Sequence, residues 1–311
     1  MLNTIFILVG ALFLLAKGAA LATRYAVALA ENFRLSKYTI GFIIVAVISI
    51  LPEVLVVIQS AGQSVPSLAL GMLFGSNIAD LTLIFGILVF VAGRSLQIEG
   101  KILKNHAAYP FILLLPIILG LNGHLSRLDG LALIIAGSVF YYLALRNGVD
   151  DSMPSDGTRH DTRIKNGLLL LASTLPMIIG SYFTVEAATA LAEELGVSAV
   201  LIGILVVGLG TTLPELSFSL KAVKRRDDSL AIGDLLGTVL ADATMVVGVL
   251  ALLSPFSFPK EIVYVTGTFM IMASFLLFYF MESGRRLTKK EGRLLFFFWI
   301  MFVLVSFFTN T

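Results

Sequence analysis

The chain has 311 residues, of which 58% are hydrophobic and 14% are charged, and its formal net charge is only +2. Its mean hydropathy is +0.96, and apolar runs of about 20 residues, the length that spans a bilayer, recur along it. This composition indicates an integral membrane protein with the lipid bilayer around it. The small net charge gives no reason to expect a nucleic-acid partner. Because cysteine is absent, a disulfide framework and a thiolate metal site are excluded.

Apolar segments separated by short polar stretches predict an all-α membrane protein with ten transmembrane helices. The first apolar run lacks a basic region and a cleavage site, so we expect a retained helix and not a signal peptide. The predicted helices span residues 3–30, 38–60, 67–93, 107–121, 128–146, 165–190, 198–221, 228–253, 260–281 and 291–309.

The longest polar break lies between residues 146 and 165 and is rich in Gly, Pro, Ser and charged residues. It predicts a linker at 147–164 between two halves, 1–146 and 165–311, and it is too short to hold a regulatory domain. If the N-terminus is outside, most Lys and Arg residues fall in inner loops, whereas only Arg127 and Lys260 fall in outer ones. This asymmetry predicts a multi-pass protein of the cell membrane with both termini outside and a cytoplasmic linker.

The two halves contain a duplicated stretch, since residues 46–80 recur at 208–242 with a constant offset of 162. The tripeptide Leu-Pro-Glu at 51–53 recurs at 213–215, and Gly75 and Asp80 recur as Gly237 and Asp242. Five helices in each half is an odd number, so the halves would have opposite orientations in the membrane. Two inverted-topology repeats of five helices are typical of secondary transporters, whose ions bind near the midplane.

Each copy carries carboxylates within apolar segments, where a charged side chain costs roughly 2.5 to 3.5 kcal/mol and is seldom kept without a role. Each of these acids follows a hydroxyl residue by four positions, so both share a helix face. The pairs are Ser49 with Glu53, Ser76 with Asp80, Thr211 with Glu215, and Thr238 with Asp242. A hard cation such as calcium takes about 6 to 8 oxygen ligands. No basic residue recurs beside the acids in both copies, which disfavours structural ion pairs.

Two other features of the repeat have local explanations. The spacing of Gly71 with Gly75, repeated by Gly233 with Gly237, favours close helix packing over ion binding. The proline of each copy removes one helical hydrogen bond, which would free the carbonyl oxygens of Ile48 and Gly210.

The segments GTTLPEL at 210–216 and GSNIAD at 75–80 resemble the paired α-repeats of the sodium/calcium exchanger family, within the cation/calcium antiporter superfamily. The resemblance covers essentially the whole chain. It implies a central calcium cluster of Glu53, Asp80, Glu215 and Asp242, with the first and sixth helices as the moving gate. It also implies two sodium sites: an outer one lined by Thr211, Thr212, Thr238 and the Gly208 carbonyl, and an inner one lined by Ser49, Ser76 and the Ala46 carbonyl.

Two departures from the family pattern bear on the counter-ion. Ile50 stands where the family usually has a hydroxyl, and sodium-coupled members often have Asn at one of the positions held here by Asp80 and Asp242. Together the departures remove one neutral oxygen and add one carboxylate, and four packed carboxylates cannot all stay ionised without a cation. They keep a proton- or potassium-coupled antiporter of calcium or another divalent cation open as an alternative.

The sequence therefore predicts a secondary antiporter that exchanges calcium for sodium, without enzymatic activity, a cofactor or an obligatory protein partner. An intramembrane aspartyl protease using Asp80 and Asp242, and a passive cation channel, are less favoured readings. The protease would need no glutamates in register, and channels normally repeat their filters in parallel. Asp234, which replaces Met72 of the other copy, is predicted either at the cytoplasmic mouth of the pathway or as a plain helix-start acid.

Overall fold

The computed structural model describes residues 1–30, 42, 45–98, 109–148 and 160–310, and nearly all of them are helical. The α-helices are α1 Leu2–Ala30, α2 Ala46–Ser49, α3 Leu51–Gly62, α4 Pro66–Ala79, α5 Phe85–Ala92, α6 Tyr109–Gly120, α7 Arg127–Gly148, α8 His160–Leu195, α9 Ala199–Ile202, α10 Gly208–Thr211, α11 Leu213–Lys224, α12 Asp228–Ala241, α13 Val247–Leu253, α14 Lys260–Glu282 and α15 Lys289–Asn310. Single π-helical turns at Asp80–Ile84, Gly203–Val207 and Asp242–Val246 join α4 to α5, α9 to α10 and α12 to α13.

Within the described ranges, eight helices are long and apolar enough to cross a membrane. Two further apolar helices, spanning Ala46–Gly62 and Tyr109–Gly120, are shorter, and residues outside the described part of the chain precede both. The prediction of an all-helical membrane protein is confirmed. The count of ten spanning helices stays a prediction.

The predicted helix limits agree with the structure to within about three residues wherever the chain is described, apart from the sixth helix. That helix, α8, runs over His160–Leu195 and extends beyond the predicted 165–190 at both ends. The predicted linker 147–164 is correspondingly shorter, because 147–148 belong to α7 and 160–164 to α8. Residues 149–159 of the linker lie outside the described residues.

The duplication in sequence reappears as a duplication of secondary structure. The bounds of α2, α3 and α4 recur in α10, α11 and α12 with an offset of 162, and so do the π-turns at 80–84 and 242–246. Even helix starts repeat: Ser126 and Asp129 exchange hydrogen bonds at the start of α7, and Thr288 and Glu291 do so at the start of α15. Such reciprocal capping satisfies backbone donors that the helix itself leaves free.

Two short antiparallel ladders, which the sequence did not predict, join the halves. Strand β1 (Leu96–Gln97) pairs with β4 (Arg286–Leu287), and β2 (His124–Leu125) pairs with β3 (Phe256–Ser257). Each ladder takes one strand from each half, so the two halves are tied together at both.

The long helices α1 and α8 pack directly against each other through glycines. A Cβ at Gly180 would lie 2.8 Å from the Leu15 backbone nitrogen and 2.9 Å from the Ala11 carbonyl oxygen. On α1, a Cβ at Gly18 would lie 3.0 Å from the Ser173 carbonyl oxygen. The two helices are therefore in backbone contact at two places, near Gly18 and near Gly180.

Candidate cation site

Each motif helix is interrupted just before its proline, and the glutamate directly follows the proline. Pro52 lies in the first turn of α3, and a single turn residue, Ile50, separates that helix from α2. Thr212 and Pro214 do the same between α10 and α11. Pro fits the first helical turn because its missing N–H would have no intrahelical acceptor there. Glu53 and Glu215 therefore project from the first turns of two helices with the same local geometry.

The carbonyl oxygens that the prolines were expected to free keep a partner. At the end of α2, backbone N–H groups donate to the carbonyls of Ala46 and Ile48, and at the end of α10 to those of Gly208 and Gly210. The prediction of free carbonyls at Ile48 and Gly210 is wrong because another backbone N–H at the helix break donates to each of them. A carbonyl oxygen has two lone pairs, so one remains for a further ligand.

The two aspartates lie where α-helix changes to π-helix. Asp80 begins the π-turn Asp80–Ile84, and Asp242 begins the π-turn Asp242–Val246. The local fold is reinforced in both copies, because the Thr82 hydroxyl donates to the Ile78 carbonyl and the Thr244 hydroxyl donates to the Leu240 carbonyl. Single π-turns inside helices occur frequently at functional sites.

Glycines allow the helices of one half to cross those of the other in backbone contact. A Cβ at Gly75 would lie 2.7 Å from the Ile204 Cα, and one at Gly208 would lie 3.0 Å from the Ser76 nitrogen. On the other side, a Cβ at Gly237 would lie 2.5 Å from the Ala46 Cβ. These contacts agree with the predicted packing role of the spacing. They also bring the hydroxyl-acid pair of each half beside the broken helix of the other.

The structure brings the four predicted acids together. Glu53, Asp80, Glu215 and Asp242 are each at most 1% exposed. Glu53 interacts electrostatically with each of the other three, and Asp80 also interacts with Glu215 and Asp242. The Glu53 carboxylate lies within hydrogen-bonding reach of the Thr211 side chain of the other half. Both halves therefore contribute to one acidic cluster.

Seven of the eight carboxylate oxygens of this cluster are buried without a hydrogen-bond partner. A buried polar group without a partner costs about 1 to 3 kcal/mol, and more when it is charged. The two ion pairs between described residues, Met1 with Glu194 and Arg94 with Asp228, do not include these acids. No basic side chain of the described ranges is therefore placed to neutralise these acids when they are ionised.

The four acids do not form a closed set of metal ligands in this conformation. Among the described residues, no three His, Asp or Glu side chains approach one another as closely as the ligands of a single metal ion do. Simultaneous ligation by all four acids would therefore require their side chains to rotate inward.

The predicted hydroxyl ligands differ in what they contact. The hydroxyls of Ser76, Thr211 and Thr212 each donate to the carbonyl three residues earlier, at 3.1, 3.1 and 2.9 Å. The Thr238 hydroxyl is buried without a partner. The Ser49 hydroxyl donates to a carboxylate oxygen of Asp234 at 3.2 Å. A hydroxyl that donates its proton in a hydrogen bond keeps its lone pairs, so each of these oxygens still has a lone pair available to bind a cation.

The predicted carbonyl ligands each accept hydrogen bonds within their own helix turns. The Ala46 carbonyl accepts the Ile50 N–H at 3.0 Å, and the Gly208 carbonyl accepts the Thr212 N–H at 3.2 Å. The Gly208 carbonyl also accepts the Thr211 hydroxyl. A cation at Gly208 would therefore compete with that hydroxyl for the same oxygen.

Sequence reasoning placed Asp234 wrongly. The residue lies in the middle of α12, fully buried, so it is neither a helix-start acid nor exposed at a mouth. It accepts hydrogen bonds from Ser49 and Ser219, and it interacts electrostatically with Asp80 and Glu215. The signal that could have located it is the replacement of Met72 by a charged residue in an apolar segment.

Two tyrosines that the sequence did not single out hold α12 in place. The Tyr141 hydroxyl donates to the Gly237 carbonyl at 2.5 Å, and the Tyr109 hydroxyl donates to the Leu236 carbonyl at 2.7 Å. The two carbonyls belong to the two residues that precede Thr238 in the chain. No pattern in the sequence marks these residues, because their partners lie 96 and 127 positions away.

The chain is similar to other membrane proteins, including two sodium/calcium exchangers, along most of its length. The sodium/calcium exchanger MaX1 of Methanosarcina acetivorans is 25% identical, with 98% of this chain and 99% of that protein covered. The inner membrane protein YrbG of Escherichia coli is 27% identical over 73% of each chain. A solved structure of the sodium-calcium exchanger NCX_Mj, soaked with 10 mM Na⁺ and no Ca²⁺, superposes with a TM-score of 0.72 at 22% identity, covering 96% of this chain and 97% of that one.

The family model described as sodium/calcium exchanger protein matches residues 3–146 and 165–308, which leaves unmatched only the linker region and the chain ends. Proteins of this family are membrane transporters of cations and not enzymes, so the aspartyl protease reading is set aside. The chain belongs to the sodium/calcium exchanger family.

Proposed function

We propose that the protein exchanges calcium for sodium by alternating access around the cluster of Glu53, Asp80, Glu215 and Asp242. The observation that carries the proposal is the set of seven buried carboxylate oxygens without a hydrogen-bond partner, contributed by both halves. Buried charges are normally paired or coordinate a metal ion. With no basic partner among the described residues, a cation is the natural counter-charge.

The chemistry of the ligands favours calcium as one of the transported ions. The cluster offers carboxylate, hydroxyl and carbonyl oxygens and no sulfur or imidazole, which is the ligand type that hard cations prefer. Calcium also tolerates flexible coordination, so a site that closes by side-chain rotation suits it. In this scheme Glu53 and Glu215, one from each half, hold the divalent ion with Asp80 and Asp242.

The surrounding hydroxyls provide two flanking positions for sodium. Thr211, Thr212, Thr238 and the Gly208 carbonyl would form the outer position, and Ser49, Ser76 and the Ala46 carbonyl the inner one. The unpartnered Thr238 hydroxyl supports the outer position. Sodium and calcium would then compete for the same acids, which couples their movements in opposite directions.

Alternating access requires the site to face each side of the membrane in turn. We propose that the two halves, 1–146 and 165–311, form five-helix inverted repeats with both termini outside and the linker cytoplasmic. Such repeats support rocking of one bundle against another around a fixed site. The paired helices α1 and α8 would slide past the broken helices that carry Glu53 and Glu215.

A proton- or potassium-coupled antiporter is the second candidate. Ile50 is buried at the turn where the other half has Thr212, so it offers no oxygen there. Asp80 adds a charge that a proton or a larger cation could neutralise. These two residues are the specific reasons to test counter-ions other than sodium.

The deciding experiment is uptake of radioactive calcium into proteoliposomes loaded with sodium, with potassium, or with low-pH buffer against a neutral outside. We expect uptake to require a sodium gradient. Uptake driven only by a proton or potassium gradient would show that this ion, and not sodium, is the counter-ion. Uptake without any counter-ion would instead indicate a channel. Liposomes without protein give the background.

A further inference from the structure

A fifth buried carboxylate lies beside the four acids of the motif. Asp234 is 0% exposed and is the seventh residue of the fourteen-residue helix α12. Its two oxygens accept hydrogen bonds from the hydroxyls of Ser49, at 3.2 Å, and Ser219, at 3.5 Å. The two donors come from different helices, α2 and α11, so Asp234 joins three elements of the fold.

These contacts alone would not balance a negative charge on Asp234. Both are neutral and long, whereas hydrogen bonds from charged donors are about 2.7 to 2.9 Å. Neither of the ion pairs that join described residues includes Asp234. A buried charge with such weak support calls for a further positive partner.

The neighbouring acids strengthen the need for a positive partner. Asp80 and Glu215 interact electrostatically with Asp234. Both are 1% exposed, and none of their four carboxylate oxygens has a hydrogen-bond partner. The carboxyl groups of Asp80 and Glu215 therefore lie within electrostatic range of Asp234, and none of the three has a basic partner among the described residues.

Asp234 contacts the part of the first half where a hydroxyl is missing. Ile50 occupies the turn residue that is Thr212 in the second half, so the Ser49 side lacks one hydroxyl. Met72 is the counterpart of Asp234, so the extra carboxylate is present only once. It comes from the second half and contacts Ser49, the residue that directly precedes Ile50.

We propose that Asp234, Ser49 and Ser219 form a binding site for a monovalent cation, with Asp234 as the charged ligand that replaces the hydroxyl missing at position 50. One carboxylate neutralises one positive charge, which suits sodium better than a divalent ion. The site rests on the proposed exchange function and deepens it, because it specifies how sodium is held on the inner side.

The test measures calcium uptake driven by graded internal sodium in proteoliposomes containing Asp234→Asn. Asn has the same shape and keeps an oxygen to accept from Ser49, so only the charge is lost. We expect the sodium concentration for half-maximal uptake to rise by about tenfold, which corresponds to about 1.4 kcal/mol. The calcium concentration for half-maximal uptake should change by less than about threefold. Glu261→Gln, an exposed carboxylate on α14, is the matched control.

A second variant makes the result specific. Adding Ile50→Ser to Asp234→Asn should recover part of the lost sodium affinity, because the hydroxyl supplies the missing oxygen. If Asp234→Asn does not fold, Ser219→Ala replaces it, with Thr174→Val as the control, since the Thr174 hydroxyl only donates to its own helix. Ser219→Ala should raise the half-maximal sodium concentration by about two- to threefold.

The outcomes separate this inference from the proposed function. Wild-type exchange with unchanged sodium dependence in Asp234→Asn would overturn the Asp234 site alone. Equal losses of sodium and calcium affinity would also overturn it, since Asp234 would then support the whole cluster. Absence of sodium-driven uptake in the wild type would overturn both the proposed function and the sodium assignment.

Discussion

The two halves of the molecule share the same helical elements but differ in the polar side chains at matching positions. Helices, proline breaks and π-turns recur with an offset of 162. Yet the turn residue is Ile50 in one half and Thr212 in the other, and the position held by Met72 in the first half is held by Asp234 in the second. The comparison shows that packing maintains the symmetry, because glycine contacts and helix breaks tolerate little change. The polar side chains are less constrained, and the proposed difference between the two sodium positions depends on them.

The strongest test of the shared cluster removes one carboxylate from either half. We expect Glu53→Gln and Glu215→Gln each to lower calcium uptake by on the order of 100-fold, because each change takes one charged ligand away from the calcium ion. Radioactive calcium uptake measures the loss, with Glu261→Gln as control. Full activity in Glu215→Gln would refute the assignment of the site.

The next test breaks the packing that the halves share. Gly75→Ala places a Cβ 2.7 Å from the Ile204 Cα, whereas a Cβ at Gly62 meets no atom within 4 Å. Overpacking of this kind costs about 1 to 3 kcal/mol or more. We expect Gly75→Ala to lower the yield of folded protein and its unfolding temperature, measured by size-exclusion chromatography and thermal unfolding. Gly62→Ala, the matched control, should behave as wild type; equal stability of the two variants would argue against this crossing.

The difference between the turn residues can be reversed. Ile50→Ser restores a hydroxyl beside Ser49 and should lower the sodium concentration for half-maximal calcium uptake by about threefold. The readout is uptake over a range of internal sodium. An unchanged or higher sodium requirement would contradict the account of the inner site.

The smallest expected effect concerns the support of α12. Tyr141→Phe removes the hydrogen bond to the Gly237 carbonyl, while Tyr142→Phe removes the hydroxyl of an exposed neighbour. We expect the first change to lower the free energy of unfolding by about 1 kcal/mol and the second to have no effect. Thermal unfolding of both purified variants compares them. An unchanged stability of Tyr141→Phe would show that the Tyr141 hydrogen bond does not help to hold α12.

Sequence reasoning was most successful where periodicity or duplication carried the information. The helical membrane fold, the repeat and the burial of the four acids follow from apolar length and from acids that recur in register. The glycine crossings followed from spacing that only close helices need.

What the sequence missed depends on contacts between distant residues. Asp234 joins Ser49 across 185 positions, and Tyr141 joins Gly237 across 96. The carbonyls of Ile48 and Gly210 were expected to be free because a proline removes a donor, but the local chain supplied another. The π-turns at Asp80 and Asp242 leave no mark in a hydropathy pattern.

Equilibrium binding of radioactive calcium to the purified protein tests most directly whether the two halves form one cation site. The measurement compares the wild type with Glu53→Gln, Glu215→Gln and the double variant, and Glu261→Gln serves as the control. A shared site predicts that either single change abolishes high-affinity binding and that the double variant loses nothing more. If each single variant kept half of the bound calcium and only the double variant lost it all, the halves would carry separate sites and the account would be wrong.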